Sequence, residues 1–203
     1  MLRLASLHYD ALCEFFNVGV GRAAAAMSQI VQETIELSVP SIEFVDLDGG
    51  FLRPTGDGAS VVGVLQRFHG EFPGVALLMF PQQQSLEIVR LMMRDEVPLD
   101  QLTELEQDAL LEVGNILLNV CIASLAELLS VAIPSDLPQL CTVDQGLSED
   151  IGAEGPCVML LHIRFAVVRR HIDGKLAFVL GMQSFERLRQ ALDRYLGPDA
   201  GEH

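Results

Sequence analysis

Basic residues are scarce in this sequence: 13 lysines and arginines stand against 28 acidic residues, a formal net charge of −15. A chain this acidic repels phosphate backbones and anionic lipid headgroups, which excludes generic nucleic-acid binding and membrane-surface docking. Catalytic signatures are missing as well. There is no G-x-S-x-G, no G-x-x-x-x-G-K-[ST] and no H-E-x-x-H, and the five histidines are scattered. None of the four cysteines forms a C-x-x-C pair. Cys13 and Cys121 lie in apolar helical patterns and read as buried, reduced thiols, which fits a reducing compartment. The longest uncharged apolar stretch, 113–126, contains two asparagines and falls short of the ~20 residues a bilayer demands. The first ten residues, MLRLASLHYD, show no signal-peptide core. The expectation is a soluble, cytoplasmic protein.

What is present is enough apolar material for a core. Half of the 203 residues are hydrophobic and only a fifth are charged, so the chain is one large domain or two fused small ones. Its segments repeat. Asp10, Glu14, Asn17 and Pro40 recur as Asp108, Glu112, Asn115 and Pro138, each 98 residues further on. Ser85-Leu86-Glu87 recurs as Ser184-Phe185-Glu186 at almost the same offset.

Each half reads in one order. Long amphipathic helices are expected over 8–30 and from a Thr103/Glu106 capping box to about 130. Strand-like runs follow at 38–47, 59–68 and 74–80, and again at 139–144, 156–168 and 175–182, with Asp173-Gly174 marking a hairpin. Closing helices are expected at 82–95 and 184–196, the second stopping at Gly197-Pro198. The fold class is α/β (α+β). A duplicated α-β-β-β-α unit makes a pseudo-two-fold domain in which six strands share a sheet with packed helices, as a single domain of two repeats at about 1–98 and 99–203.

At about 100° per residue, Leu12, Phe16, Val20, Ala23, Met27 and Ile30 fall on one side of the first helix, and Asp10, Glu14, Asn17, Gly21 and Ser28 on the other. In the second half Leu110, Gly114, Leu118, Cys121, Leu125 and Leu128 oppose Asp108, Glu112, Asn115 and Asn119. Such stripes are usually only solvated. A repeated Glu-x-x-Asn pair, with asparagine and glycine where better helix formers were available, points instead to a working face.

The pattern Asp-x3-Glu-x2-Asn-x22-Pro, complete in both copies, resembles the signature of the CheC/CheX/FliY phosphatases of chemotaxis, and two intact sites in one chain resemble the CheC branch most. The resemblance implies a phosphatase that hydrolyses the aspartyl phosphate of a CheY-like response-regulator receiver domain. An acyl phosphate is already activated, so hydrolysis needs mainly a water held in line with phosphorus. On this reading Asn17 and Asn115 orient the water, and Glu14 and Glu112 pair with the receiver's lysine. Asp10 and Asp108 serve the helix start or the docking edge, Gly21 and Asn119 line that edge, and Pro40 and Pro138 begin strands. The protein needs no metal of its own: Mg²⁺ is expected on the receiver, and the phosphatase is expected to be a monomer. The alternative is a non-catalytic module of the flagellar-switch type that binds a receiver or the deamidase CheD. Replacement of Gly21 by Asn119 predicts unequal sites, the first more open.

Overall fold

In the computed structural model, residues 4–46, 61–93, 104–142, 157–167 and 170–197 are described. The elements run α1 (Ser6–Val31), β1 (Ile35–Asp46), β2 (Val61–Phe68), β3 (Gly74–Pro81), α2 (Gln82–Met93), α3 (Glu104–Leu129), β4 (Gln139–Thr142), β5 (Cys157–Val167), β6 (Arg170–Leu180) and α4 (Met182–Leu196). The α-β-β-β-α order thus occurs twice. The capping box at Thr103 lies outside the described residues.

All strand pairings are antiparallel, and the sheet order is β1-β5-β6-β3-β2-β4. Exchanging β1 with β4, β2 with β5 and β3 with β6 turns that order into its own reverse, the mark of a pseudo-two-fold. Each half donates its first strand to the other half's hairpin: β1 pairs with β5, and β4 with β2. Neither half could close its part of the sheet alone.

Strand residues alternate between two faces. Val64, Phe68, Ala76, Leu78, Phe80, Leu161, Ile163, Phe165, Leu176 and Phe178 meet the apolar stripes of the helices in the main core. Leu65, Leu77, Val158, Leu160, Ala177 and Val179 belong to a smaller cluster on the other face. Phe16 of α1 stacks on Phe178, and Phe185 of α4 meets Phe44 edge-on. The expected buried side of α1 holds for Leu12, Phe16, Val20, Ala23 and Met27, whereas Ile30 is 42% exposed and Val31 takes the inward position. By length and composition α3 could cross a membrane over Gln107–Leu129. Here Leu110, Val113, Leu117, Leu118, Cys121 and Leu125 bury it in the core.

Asp173-Gly174 is not a turn. Both residues lie inside β6, paired with Arg164 and Ile163, and the ladder continues to Val167 opposite Arg170. Gly174 answers a packing demand: a Cβ there would sit 2.4 Å from the Phe80 ring. Gly197 does end α4, with φ 82° and its N–H bonded to the Asp193 carbonyl.

Candidate functional site

Two motif positions of the first half, Asn17 and Pro40, meet at an irregularity in β1. The register against β5 jumps between Ser38 and Ser41, opposite Arg164 and His162, so three steps on β1 span two on β5. Pro40 sits in this bulge, inside β1 rather than at its start. A residue without an N–H is tolerated there and on an edge strand. The bulge changes which residues face the helices, from Ile35, Leu37 and Val39 before it to Ile42 and Phe44 after it.

Asn17 reaches this bulge from α1. Its Nδ2 donates to the Val39 carbonyl at 3.1 Å and to the Cys13 carbonyl at 2.8 Å, while its Oδ1 accepts from the Val39 N–H at 2.8 Å. The carboxamide therefore pairs with Val39 as a neighbouring strand's peptide group would. The 22-residue spacer between Asn17 and Pro40 is the length of chain that closes this contact. Asn17 is half-buried, and both N–H groups of its side chain are engaged. Asp10, Glu14 and Gly21 stand exposed on the helix, as does Val18, and a Cβ on Gly21 would meet nothing within 4 Å.

The second half repeats the bulge but not the bond. The Asp136 N–H donates to the Arg67 carbonyl, and the next pair along is Gln139 with Leu65, again three steps against two. Pro138 immediately precedes β4. Leu137, the counterpart of Val39, is 84% exposed, whereas Val39 is 2% exposed. Asn115 makes no bond to it. Instead Asn115 Oδ1 accepts from Asn119 Nδ2 at 2.7 Å, and Asn119 Oδ1 accepts from Gln66 Nε2 at 2.9 Å. The Nδ2 of Asn115 has no partner among the described residues. Asp108, Glu112 and Asn119 are exposed, and Asn115 is half-buried.

Around Gly21 the first face is open in space, as expected, yet its asparagine is the more tightly held. Sequence reasoning missed both Val39 and Gln66. The signal for Gln66 was a lone amide in the apolar run VVGVLQRF, in phase with Val62, Val64 and Phe68.

The ridges share a scaffold, because α1 and α3 pack on each other. Gly19 allows the approach: a Cβ there would lie 2.3 Å from Ser124 Oγ and 3.3 Å from Val120. Arg22 lies 3.9 Å from Glu127 across the same contact. His8 ties α1 to α4. Its Nδ1 accepts from the Ala5 N–H, which fixes the proton on Nε2 for donation to Asp193 Oδ1 at 2.9 Å. Cys13, Cys121 and Cys141 are poor nucleophiles. Burial pushes Cys121 up to about 12 and Cys141 to about 11, and burial with the nearby Asp10 charge raises Cys13. Among the described residues no three His, Cys, Asp or Glu side chains gather as a metal site.

Known proteins share the fold. No family model matches the chain. It is 28% identical over 155 residues to the CheY-P phosphatase CheC of Bacillus subtilis, covering 69% of this chain and 71% of the relative. The fold matches that of Thermotoga maritima FliY, with a TM-score of 0.76 at 19% identity, covering 95% of this chain and 99% of the other. The FliM middle domain of H. pylori superposes with a TM-score of 0.70 at 9% identity, over 93% and 99% of the two chains. The fold is thus shared with FliY and the FliM middle domain. The chain carries both copies of the Asp-x3-Glu-x2-Asn-x22-Pro motif intact and is similar to CheC in sequence and to FliY in fold.

Proposed function

We propose that this protein hydrolyses the aspartyl phosphate of a CheY-like receiver domain, as one domain built of two repeats at about 1–98 and 99–203. Asn115 carries the reading. Its Oδ1 is held by Asn119 while its Nδ2 is unengaged among the described residues. One turn before it stands the carboxylate of Glu112. A neutral amide whose orientation is fixed from behind can donate to, and so aim, a water in line with phosphorus. Glu112 pairs with the receiver's lysine and fixes the docking register, and Glu14 does the same on the first face. Mg²⁺ belongs to the receiver, since one carboxylate per helical turn falls well short of a magnesium site. The setting is the cytoplasm, and the phosphatase works as a monomer.

The test is dephosphorylation of phosphorylated receivers, the CheY of Bacillus subtilis and those of the source genome, with Mg²⁺ present. The wild type speeds loss of the phosphoryl group and Asn115→Ala does not. A second reading, a module that binds a receiver or CheD without hydrolysis, draws support from Asn17, whose amide N–H groups are committed to backbone carbonyls. It replaces the first if tight receiver binding accompanies unchanged phosphoryl lifetimes.

A further inference from the structure

Gln66 is buried in the main core side of β2, at 2% exposure. Its Nε2 faces three acceptors: Asn119 Oδ1 at 2.9 Å, the Asp136 carbonyl at 2.9 Å and Ser135 Oγ at 3.1 Å. Its Oε1 is buried and bonded to nothing among the described residues. An orphaned buried carbonyl costs stability and is rare in native folds. The molecule contains its own control. The registers that pair Leu65 with Gln139 and His162 with Ser41 make Ile163 the counterpart of Gln66. Ile163 is fully buried at 1% exposure, so the fold accommodates an apolar side chain at this place. The glutamine is retained at a cost, and what it gains is the aim of its N–H groups.

One N–H holds the backbone of the second bulge at Asp136. The other holds Asn119, whose own amide holds Asn115. From this geometry we infer that Gln66 is a positioning residue of the second site, acting through Asn119 to fix the rotamer of Asn115 and present its Nδ2 outward. The inference rests on the proposed phosphatase reading for its kinetic consequence, and on the amide relay alone for its structural one. The first half has no such relay: Gly21 replaces Asn119, Ile163 replaces Gln66, and backbone groups of Val39 hold Asn17.

Gln66→Met keeps length and shape and removes the donors. Asn119→Ala cuts the same relay from the helix side, where folding is insulated from the change. Both should lower kcat on phosphorylated B. subtilis CheY roughly tenfold, the lower end of what loss of an orienting partner costs at metal ligands. KM should stay within about twofold for Gln66→Met, whose side chain is buried beneath the docking face. In an Asn115→Ala background neither should lower kcat further. Independently of turnover, the Asn115 side-chain amide resonances of the ¹⁵N-labelled protein should shift and gain mobility in both variants. Unchanged Asn115 resonances in well-folded Gln66→Met and Asn119→Ala overturn the relay whatever the activity. Wild-type kcat in both variants, with Asn115→Ala inactive, overturns the positioning role alone. Full activity of Asn115→Ala removes the phosphatase assignment of that residue and leaves the resonances to decide the relay.

Discussion

The two halves share a bulge and use it differently. In the first, Val39 turns inward and its peptide groups take the carboxamide of Asn17. In the second, Leu137 turns outward and the core beneath is filled by an amide, Gln66, which supports Asn119 and Asn115 instead. Helix, spacer and proline recur in both halves. The asparagine differs in what holds it: in the first half it pins an edge strand, and in the second it stands on a supported ridge. One motif therefore encodes two local structures, and identical letters at identical spacing do not guarantee equal sites.

The largest expected effect tests that difference directly. Asn115→Ala should reduce phosphatase turnover by roughly 10²–10³, about 2.7–4 kcal/mol, by analogy with loss of an oriented hydrogen-bond donor. Asn17→Ala should change turnover far less. Steady-state dephosphorylation by the two single variants decides it, and equal losses would erase the distinction drawn between the halves.

Stability should show the opposite order. Asn17→Ala removes three hydrogen bonds and leaves the Val39 peptide at the edge of β1 without its partner, at a cost of about 1–3 kcal/mol. Asn115→Ala removes one bond to a neighbour on the helix surface and should cost under ~0.5 kcal/mol. Urea denaturation followed by circular dichroism measures both. A marginal Asn17→Ala effect would mean that water replaces the carboxamide at the bulge without loss.

The sequence made the architecture legible because its signals are local and repeated. The phase of Leu12, Phe16, Val20 and Met27 placed the buried side of α1, and the constant offset predicted two equal orders of elements. The exchange of β1 and β4 between halves was not legible, since strand pairing is a long-range choice. Asp173-Gly174 misled for the same reason: turn propensity yielded to the Phe80 ring packed above it. At the site, the candidate residues could be named from spacing. Their hydrogen bonds could not, because the outcome hangs on whether residue 39 or 137 points in or out.

Charge on the two ridges comes next in size. Glu14→Lys and Glu112→Lys each place a cation where the proposed partner presents its lysine. At a supported second site, Glu112→Lys should raise KM roughly tenfold at low ionic strength, as a like-charge contact at an interface rim does, and the effect should shrink with added salt. Glu14→Lys should have less influence on turnover, because the asparagine beside it is committed to the strand. Equal, salt-sensitive losses from both would instead indicate that both faces dock productively.

The smallest expected effect comes from building the second half's pair into the first. A Cβ on Gly21 meets nothing within 4 Å, so Gly21→Asn fits without strain. It should stabilise α1 by only ~0.3 kcal/mol, the difference between glycine and asparagine in helix propensity. Gly19→Ala, two residues away, is the contrasting control, since its Cβ would fall 2.3 Å from Ser124 Oγ and should destabilise the protein. The introduced carboxamide would stand one turn beyond Asn17, as Asn119 stands beyond Asn115. Turnover should nevertheless remain at the wild-type level, because Asn17 keeps its bonds to Val39 and Ile163 offers the new side chain no donor. Phosphatase assays of Gly21→Asn in the Asn115→Ala background give the sharpest readout, with the second site silent. A gain in activity there would show that Asn119 alone separates the halves, and that the bulge bond to Asn17 opens when a better partner is supplied.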